Sequence, residues 1–254
     1  MNSLPDHLQK LFHQLPLPEI ASLSLLAKTE LLRPYLQKQL LNALCKEVEP
    51  AQQSPEALHL LCKRLGLADQ AELDVWRQAL CLELADIDAM ASFDTCLQLA
   101  TEKTWGHEIP SRFLEQRSRY DQVVLSLLRF DDADLAQELY FQVREGECSF
   151  GDLIDTYASN NPQLVRGQMG PVALQRLNPL LARVVERYGP GEITPPLDLD
   201  GMVHLIRVES IRKAQLDEVM RSLLLQELRN EWLEEQLLQL RARITAQQHL
   251  SEIN

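Results

Sequence analysis

The sequence predicts an α+β protein that is mostly helical, with one small sheet module between two helical stretches. Three observations carry this. Residues 1–118 hold only two glycines, Gly66 and Gly106, and are dominated by Leu, Ala, Gln, Glu and Lys, the strong helix formers. Two short apolar runs, Val123 to Phe130 and Met202 to Val208, read as buried strands. Ala214 to Gln247 contains neither glycine nor proline, which predicts one long helix or two in tandem.

The elements follow in order. Ser54-Pro55-Glu56 starts a helix: serine as N-cap, proline at the first helical position, an acid in the first turn. Leu58, Leu61, Cys62 and Leu65 make its apolar stripe, and Gly66 ends it. Leu73, Trp76, Leu80 and Leu84 form a second stripe, and Phe93, Leu97, Ala100 and Trp105 a third. All three are read as core packing between short helices. After the first strand, Asp131-Asp132-Ala133 caps a helix that carries Leu135, Ala136, Leu139 and Val143 and stops at Gly146. Phe150, Leu153, Ile154 and Tyr157 begin another helix. Residues 161–201 hold five of the nine glycines and six of the thirteen prolines, so loops and turns are expected there. About four strands in all give a minor sheet covered by helices, not a doubly wound one. The domains expected are 1–118 (helical), 119–210 (the sheet module) and 211–254 (a C-terminal helix packing with the first).

Composition excludes several function classes. The chain has 254 residues, with 25 Lys plus Arg against 37 Asp plus Glu, a formal net charge of −12. That argues against nucleic-acid binding, which needs a basic face, and against adsorption to an anionic membrane. No apolar run is long enough to span a bilayer. Met1 to His7 has no basic n-region and no apolar h-region, so a secretory signal is not expected. The five cysteines are never arranged as CxxC, and they read as reduced, buried thiols of a cytoplasmic protein. The six histidines lie far apart, so neither a metal nor a cofactor is expected. There is no Gly-x-Ser-x-Gly elbow, no phosphate loop and no dinucleotide fingerprint.

The sheet module resembles the parvulin-type peptidyl-prolyl isomerases over most of residues 121–209. The elements come in that family's order: the first strand; a helix with Ala136-Gln137-Glu138-Leu139; Gly146-Glu147-Cys148-Ser149-Phe150; Tyr157-Ala158-Ser159; Gly167-Gln168-Met169-Gly170; Gly189-Pro190-Gly191-Glu192-Ile193; and the final strand Gly201-Met202-Val203-His204-Leu205-Ile206. Helices before the module and one long helix after it look like the layout of SurA-type chaperones. The tail from Arg212 to Gln236 is similar to that of bacterial cytosolic parvulin-like proteins, cyanobacterial ones especially.

The resemblance implies the chemistry. Rotation about an X-Pro bond meets a resonance barrier of about 18–20 kcal/mol, and no bond is made or broken. An apolar cup and a few oriented polar groups suffice, at about 1.4 kcal/mol of selective stabilisation per tenfold. Val172, Leu177 and Leu181 sit at the family's proline-pocket positions, with Asn178 as the polar neighbour; the alternative is that the three aliphatics only complete the core. The polar centre departs from the family. Leu127 stands where the first-strand histidine belongs. Ser159 and Asn160 stand where a cysteine or aspartate follows the second helix. His204 matches the final-strand histidine when aligned on Leu205-Ile206, whereas counting from Gly201 puts Val203 there. Neighbours in a strand face opposite ways, so one residue decides whether His204 faces the cleft; His204 is the favoured equivalent. The loop Arg129-Phe130-Asp131-Asp132 is acidic, which disfavours phosphorylated targets.

Three functions remain open at this point. The first is a weak isomerase and folding factor for extended, proline-containing polypeptides, with His204, Ser159 and Asn160 in the polar centre and Leu127, Val172, Leu177, Asn178 and Leu181 binding substrate. The second is a non-catalytic chaperone cradle. The third is a helical adaptor. A homodimer through the C-terminal helix is open under each.

Overall fold

The computed structural model describes residues 19–48, 55–157, 167–199 and 201–251. Mostly helical, with one antiparallel sheet of four strands among the described residues, it is an α+β fold. The chain divides into two compact units, one of residues 1–109 with 218–254 and the other of residues 110–217.

The first unit is built from α1 (Ile20–Lys28), α2 (Leu32–Cys45), α3 (Pro55–Leu65), α4 (Gln70–Ala79), α5 (Leu84–Trp105) and α10 (Glu218–Ser251). The last of these is one continuous helix rather than two. It packs against α2 and α5. Leu36, Leu40 and Leu44 of α2 are buried, at the 4-residue step that makes one helical stripe. Leu224, Leu228, Trp232, Leu233, Leu237 and Leu240 of α10 are buried too. Trp232 meets Trp105 of α5 with ring centroids 5.8 Å apart, and Arg221 of α10 forms an ion pair with Glu102 of α5. Three buried hydroxyls of α5 are satisfied within the helix: Ser92, Thr101 and Thr104 each donate to the carbonyl four residues back.

The stripe Leu73 to Leu84 is not one helix. α4 ends at Ala79, Cys81 takes a left-handed φ of 53°, and Leu84 opens α5. No glycine marks that bend. The new start is made instead by Asp86, whose carboxylate accepts from the Glu83 amide at 2.8 Å while the Asp86 amide donates to the Glu83 carbonyl at 3.1 Å.

The second unit runs through the rest of α6 (Ile109–Gln116), then β1 (Gln122–Phe130), α7 (Ala133–Glu145), α8 (Phe150–Tyr157), β2 (Gln168–Ala173), α9 (Pro179–Arg187), β3 (Leu197–Leu199) and β4 (Met202–Arg212). The sheet order is β2-β1-β4-β3. The apolar β1 is therefore central, as its continuous hydrophobicity requires. Its residues alternate between two layers. Leu125 and Leu127, with Ile206 and Val208 of β4, pack on Leu181, Val184 and Val185 of α9. Leu128 and Phe130, with Leu205 of β4, pack on Ala136 and Leu139 of α7 and on Phe150 and Leu153 of α8.

Local signals explain the helices of this unit. Asp132 accepts from the Asp134 and Leu135 amides and starts α7, while Gly146 at φ 80° ends it. Ser149 and Asp152 exchange hydrogen bonds at the start of α8; the Ser149 hydroxyl and amide hold the Asp152 carboxyl below the usual carboxylate range. The stretch expected as loops carries β2, α9 and β3 as well as turns. β2 escapes the sequence pattern because it is an edge strand, where Pro171 is tolerated.

Candidate functional site

The candidate site is the sheet face that packs against α9. β1 pairs antiparallel with β4, so Leu127 lies opposite Ile206, and Arg129 opposite His204. β1 pairs on its other side with β2, placing Val172 opposite Val123 and Met169 opposite Leu125. The chain then makes one 3-10 turn, Leu174–Arg176, delivers Leu177, and enters α9. Asn178 starts that helix: its side-chain oxygen accepts from the Leu180 amide at 2.9 Å, and Pro179 fills the first helical position.

These elements bring four of the substrate-binding candidates together. Leu127 (7% exposed) and Leu181 (8% exposed) form a buried floor, with Val172 and Leu177 half-buried against it. Met169 is half-buried in the same cluster. It was not among the sequence candidates, because Gly167-Gln168-Met169-Gly170 reads as turn punctuation. Its pairing with Leu125 across the β1–β2 ladder is what aims it at the floor. Asn178 is exposed, and its side-chain oxygen is spent on the helix cap. It positions Leu177 and Leu181 on either side of it rather than lining the cup.

The register settles which way His204 faces. Val203 packs with Leu128, Phe130 and Leu205 on the α7–α8 side. His204, one residue on, lies opposite both Arg129 of β1 and Leu197 of β3. It therefore shares the face of Leu127 and Ile206, two residues along each strand. The imidazole is half-buried. Its Nδ1 sits 3.0 Å from the Met202 carbonyl oxygen. A carbonyl only accepts, so Nδ1 carries a proton in this contact. Ser159 and Asn160 lie outside the described residues.

The rim is not basic. Arg129 is exposed, and Asp131 and Asp132 follow it, the latter engaged as the α7 cap. The Gly191 to Thr194 turn docks along β4: the Gly191 amide donates to the Val208 carbonyl at 2.7 Å, and the Thr194 amide to the Ile206 carbonyl at 2.8 Å. It holds the strand that carries His204 from its outer edge. No group of three or more His, Cys, Asp or Glu capable of holding a metal occurs among the described residues.

An apolar cup with one imidazole at its edge can hold a proline ring and remove water from the peptide bond before it. Rotation about that bond makes and breaks no covalent bond, so it needs no nucleophile.

Comparison with known proteins places this geometry. The profile of the rotamase family, described as the PPIC-type PPIase domain, matches residues 129–210. No curated protein matches the chain. Among solved structures, the chain is similar to the peptidylprolyl isomerase PrsA from Bacillus cereus, at 13% identity and a TM-score of 0.47, with 81% of each chain covered. It is similar to PrsA from Bacillus anthracis at 14% identity and a TM-score of 0.41, over 82% of this chain and 97% of that one. A structure described under two SurA-like chaperones of Campylobacter jejuni matches at 13% identity and a TM-score of 0.34, over 78% and 94%. These likenesses are distant, and the weight rests on the family match, which spans α7, α8, β2, α9, β3 and most of β4. The sheet-bearing unit thus carries, over residues 129–210, a peptidyl-prolyl cis–trans isomerase domain of the PPIC, or parvulin, type.

Proposed function

We propose that the protein is a parvulin-type folding factor that binds extended, proline-containing polypeptide segments and accelerates their cis–trans exchange weakly. The observation that carries it is the apolar cluster in which half-buried Met169, Val172 and Leu177 pack against Leu127 and Leu181, with His204 on the same sheet face, inside a rotamase domain.

The chemistry follows from the amide. A planar X-Pro amide is polar through resonance; the twisted one is less so. Water stabilises the planar form, so seating the proline ring on aliphatic side chains favours the twist. Catalysis is differential stabilisation of that twisted state. Nε2 of His204 can accept a hydrogen bond from a client amide and fix its direction beside the cup. Leu127 offers no second polar group from β1, so one source of orientation is missing and turnover is low. Ser159 and Asn160 belong to the polar centre in this proposal.

Clients are unphosphorylated, because the loop after β1 is acidic. The helices of the first unit serve as a chaperone-like frame of the SurA kind. The compartment is cytoplasmic, supported by cysteines that are all free, with Cys62 and Cys96 buried. No helix among the described residues is long and apolar enough to cross a membrane. Pairing of two copies along α10 would use its exposed Val219 and Leu238; light scattering during size exclusion tests it.

The test of function is NMR exchange spectroscopy on an unphosphorylated peptide with an apolar residue before proline. Accelerated exchange is expected. Binding without acceleration would leave a non-catalytic cradle, and neither effect would leave a helical adaptor.

A further inference from the structure

A second hollow, of about 640 Å³, lies between the α7–α8 layer, the Gly191–Ile193 turn and the end of α9, apart from the Leu127–Leu181 cluster. Its floor is apolar, with Val143, Phe150 and Ile193. Its rim brings together three guanidinium groups: Arg144 from the end of α7, Arg187 from the end of α9 and Arg207 from β4. This runs against the chain as a whole, in which 37 acidic residues outnumber 25 basic ones.

Two of these cations are uncompensated. Arg144 lies 5.6 Å from the ring centroid of Tyr140 and 5.0 Å from that of Phe141, and Arg187 lies 5.7 Å from that of Tyr188. Neither forms an ion pair among the described residues. Stacking on an aromatic face holds a guanidinium in a set direction while leaving its N–H donors free. Arg207 has a long contact, Nε to the Glu209 carboxylate at 3.7 Å. Among the described residues Glu192 is the one acid lining the hollow, and its carboxylate accepts from the Gly189 amide at 2.7 Å, which ties it to its own turn. Arg144 and Arg187 are exposed, so a ligand reaches them without rearrangement.

We propose that this hollow binds an acidic segment of polypeptide, with carboxylates on Arg144 and Arg187 and an apolar side chain on the Val143–Phe150–Ile193 floor. The volume suits a side chain together with its neighbouring carboxylates rather than a bare ion. Planar, forked donors suit carboxylates. Because Phe150 and Arg207 lie across the sheet from Leu127 and Leu181, an acidic segment here and a proline in the cup can be held at once. The proposal does not rest on the isomerase reading.

The test is fluorescence anisotropy of a labelled peptide of alternating glutamate and phenylalanine, titrated with the full-length protein. Binding should weaken by at least about tenfold in Arg144→Ala/Arg187→Ala and by a similar factor when glutamine replaces glutamate in the peptide. It should also weaken on raising salt from about 50 to 300 mM. Arg144→Lys/Arg187→Lys, which keeps the charge and loses the fork, should fall between wild type and the alanine variant. Circular dichroism and thermal melting establish that the variants are folded; both arginines are exposed, so melting should not shift. No binding by wild type, binding within twofold in the alanine variant, or equal binding of the glutamine peptide would each overturn the proposal. So would displacement of the peptide by micromolar inorganic phosphate, which would make this a small-anion site.

Discussion

Leu127 and His204 lie on the same face of the sheet, on adjacent strands, with Arg129 paired to His204 and Ile206 paired to Leu127. They are diagonal neighbours across a central antiparallel pair, a separation of about 7–8 Å between Cα atoms that long side chains can bridge. One carries an imidazole and the other an aliphatic chain that is 7% exposed. The polar centre of the cup is therefore half built.

Leu127→His should complete it. A second imidazole beside His204 adds about 1 kcal/mol of oriented hydrogen bonding, or roughly a fivefold gain in exchange rate. The cost is stability, about 1–3 kcal/mol, because a polar ring replaces a buried leucine. Exchange spectroscopy and chemical denaturation on the same sample measure both. An unchanged rate with a folded protein would mean that the face does not act on proline.

Asp121 ties the two ends of the sheet. It is 3% exposed and accepts from the Ala214 amide and the Lys213 ammonium, each at 2.9 Å, while its carbonyl receives the Leu174 amide. Asp121→Ala leaves a buried amide unpaired and should destabilise the unit by about 2–4 kcal/mol. Urea unfolding followed on the sheet unit by NMR would show it; a loss below about 0.5 kcal/mol would contradict the assignment.

Gly170 lets β2 approach β1. Its φ is 117°, and a Cβ there would collide with the Val123 carbonyl oxygen. Gly170→Ala should cost about 1–3 kcal/mol and push Met169 and Val172 off the floor. Chemical-shift changes at Leu125 and Leu181 and weakened peptide binding are the readouts.

Cys45 tests burial in the helical unit. Desolvation, with Cys96 nearby adding to it and Lys38 and Arg229 opposing it, pushes its thiol from 9.0 up to about 11. The neutral thiol is favoured in the folded protein, so the thiolate is scarce at pH 8 and keeps rising through pH 11. Alkylation of Cys45 at pH 8 should be at least tenfold slower than that of a simple thiol, and its rate should climb past pH 9 instead of levelling there. Cys81, which is exposed, reacts first. Mass spectrometry of partly alkylated protein distinguishes the two sites.

Much of the fold was legible because local chemistry and burial agree. Asp132 and Gly146 bound α7 as their residue types imply, and β1 and β4 announce themselves as apolar runs. What was hidden depends on pairing. β2 carries Gly170 and Pro171, which punctuate a sequence, yet edge placement makes a strand of them. β3 spans three residues, too short for any period. Cys81 bends the chain with a left-handed φ that a glycine would have advertised. At the site, the order of motifs led to Leu127, Val172, Leu177 and Leu181, which the structure does bring together. Met169 was missed for the same reason as β2. The facing of His204 could not be read along the chain, since it follows from the Arg129 pairing across the sheet. Asn178 reads as a polar pocket residue but acts as a helix cap.

The most direct measurement is proline exchange by NMR in an unphosphorylated peptide with an apolar residue before proline, with wild type and with Val172→Asp/Leu177→Asp. The account predicts exchange accelerated by wild type and reduced to the uncatalysed rate by the double variant, with circular dichroism unchanged. Equal acceleration by both proteins would contradict a cup formed by these residues, and no acceleration by wild type would contradict the isomerase itself.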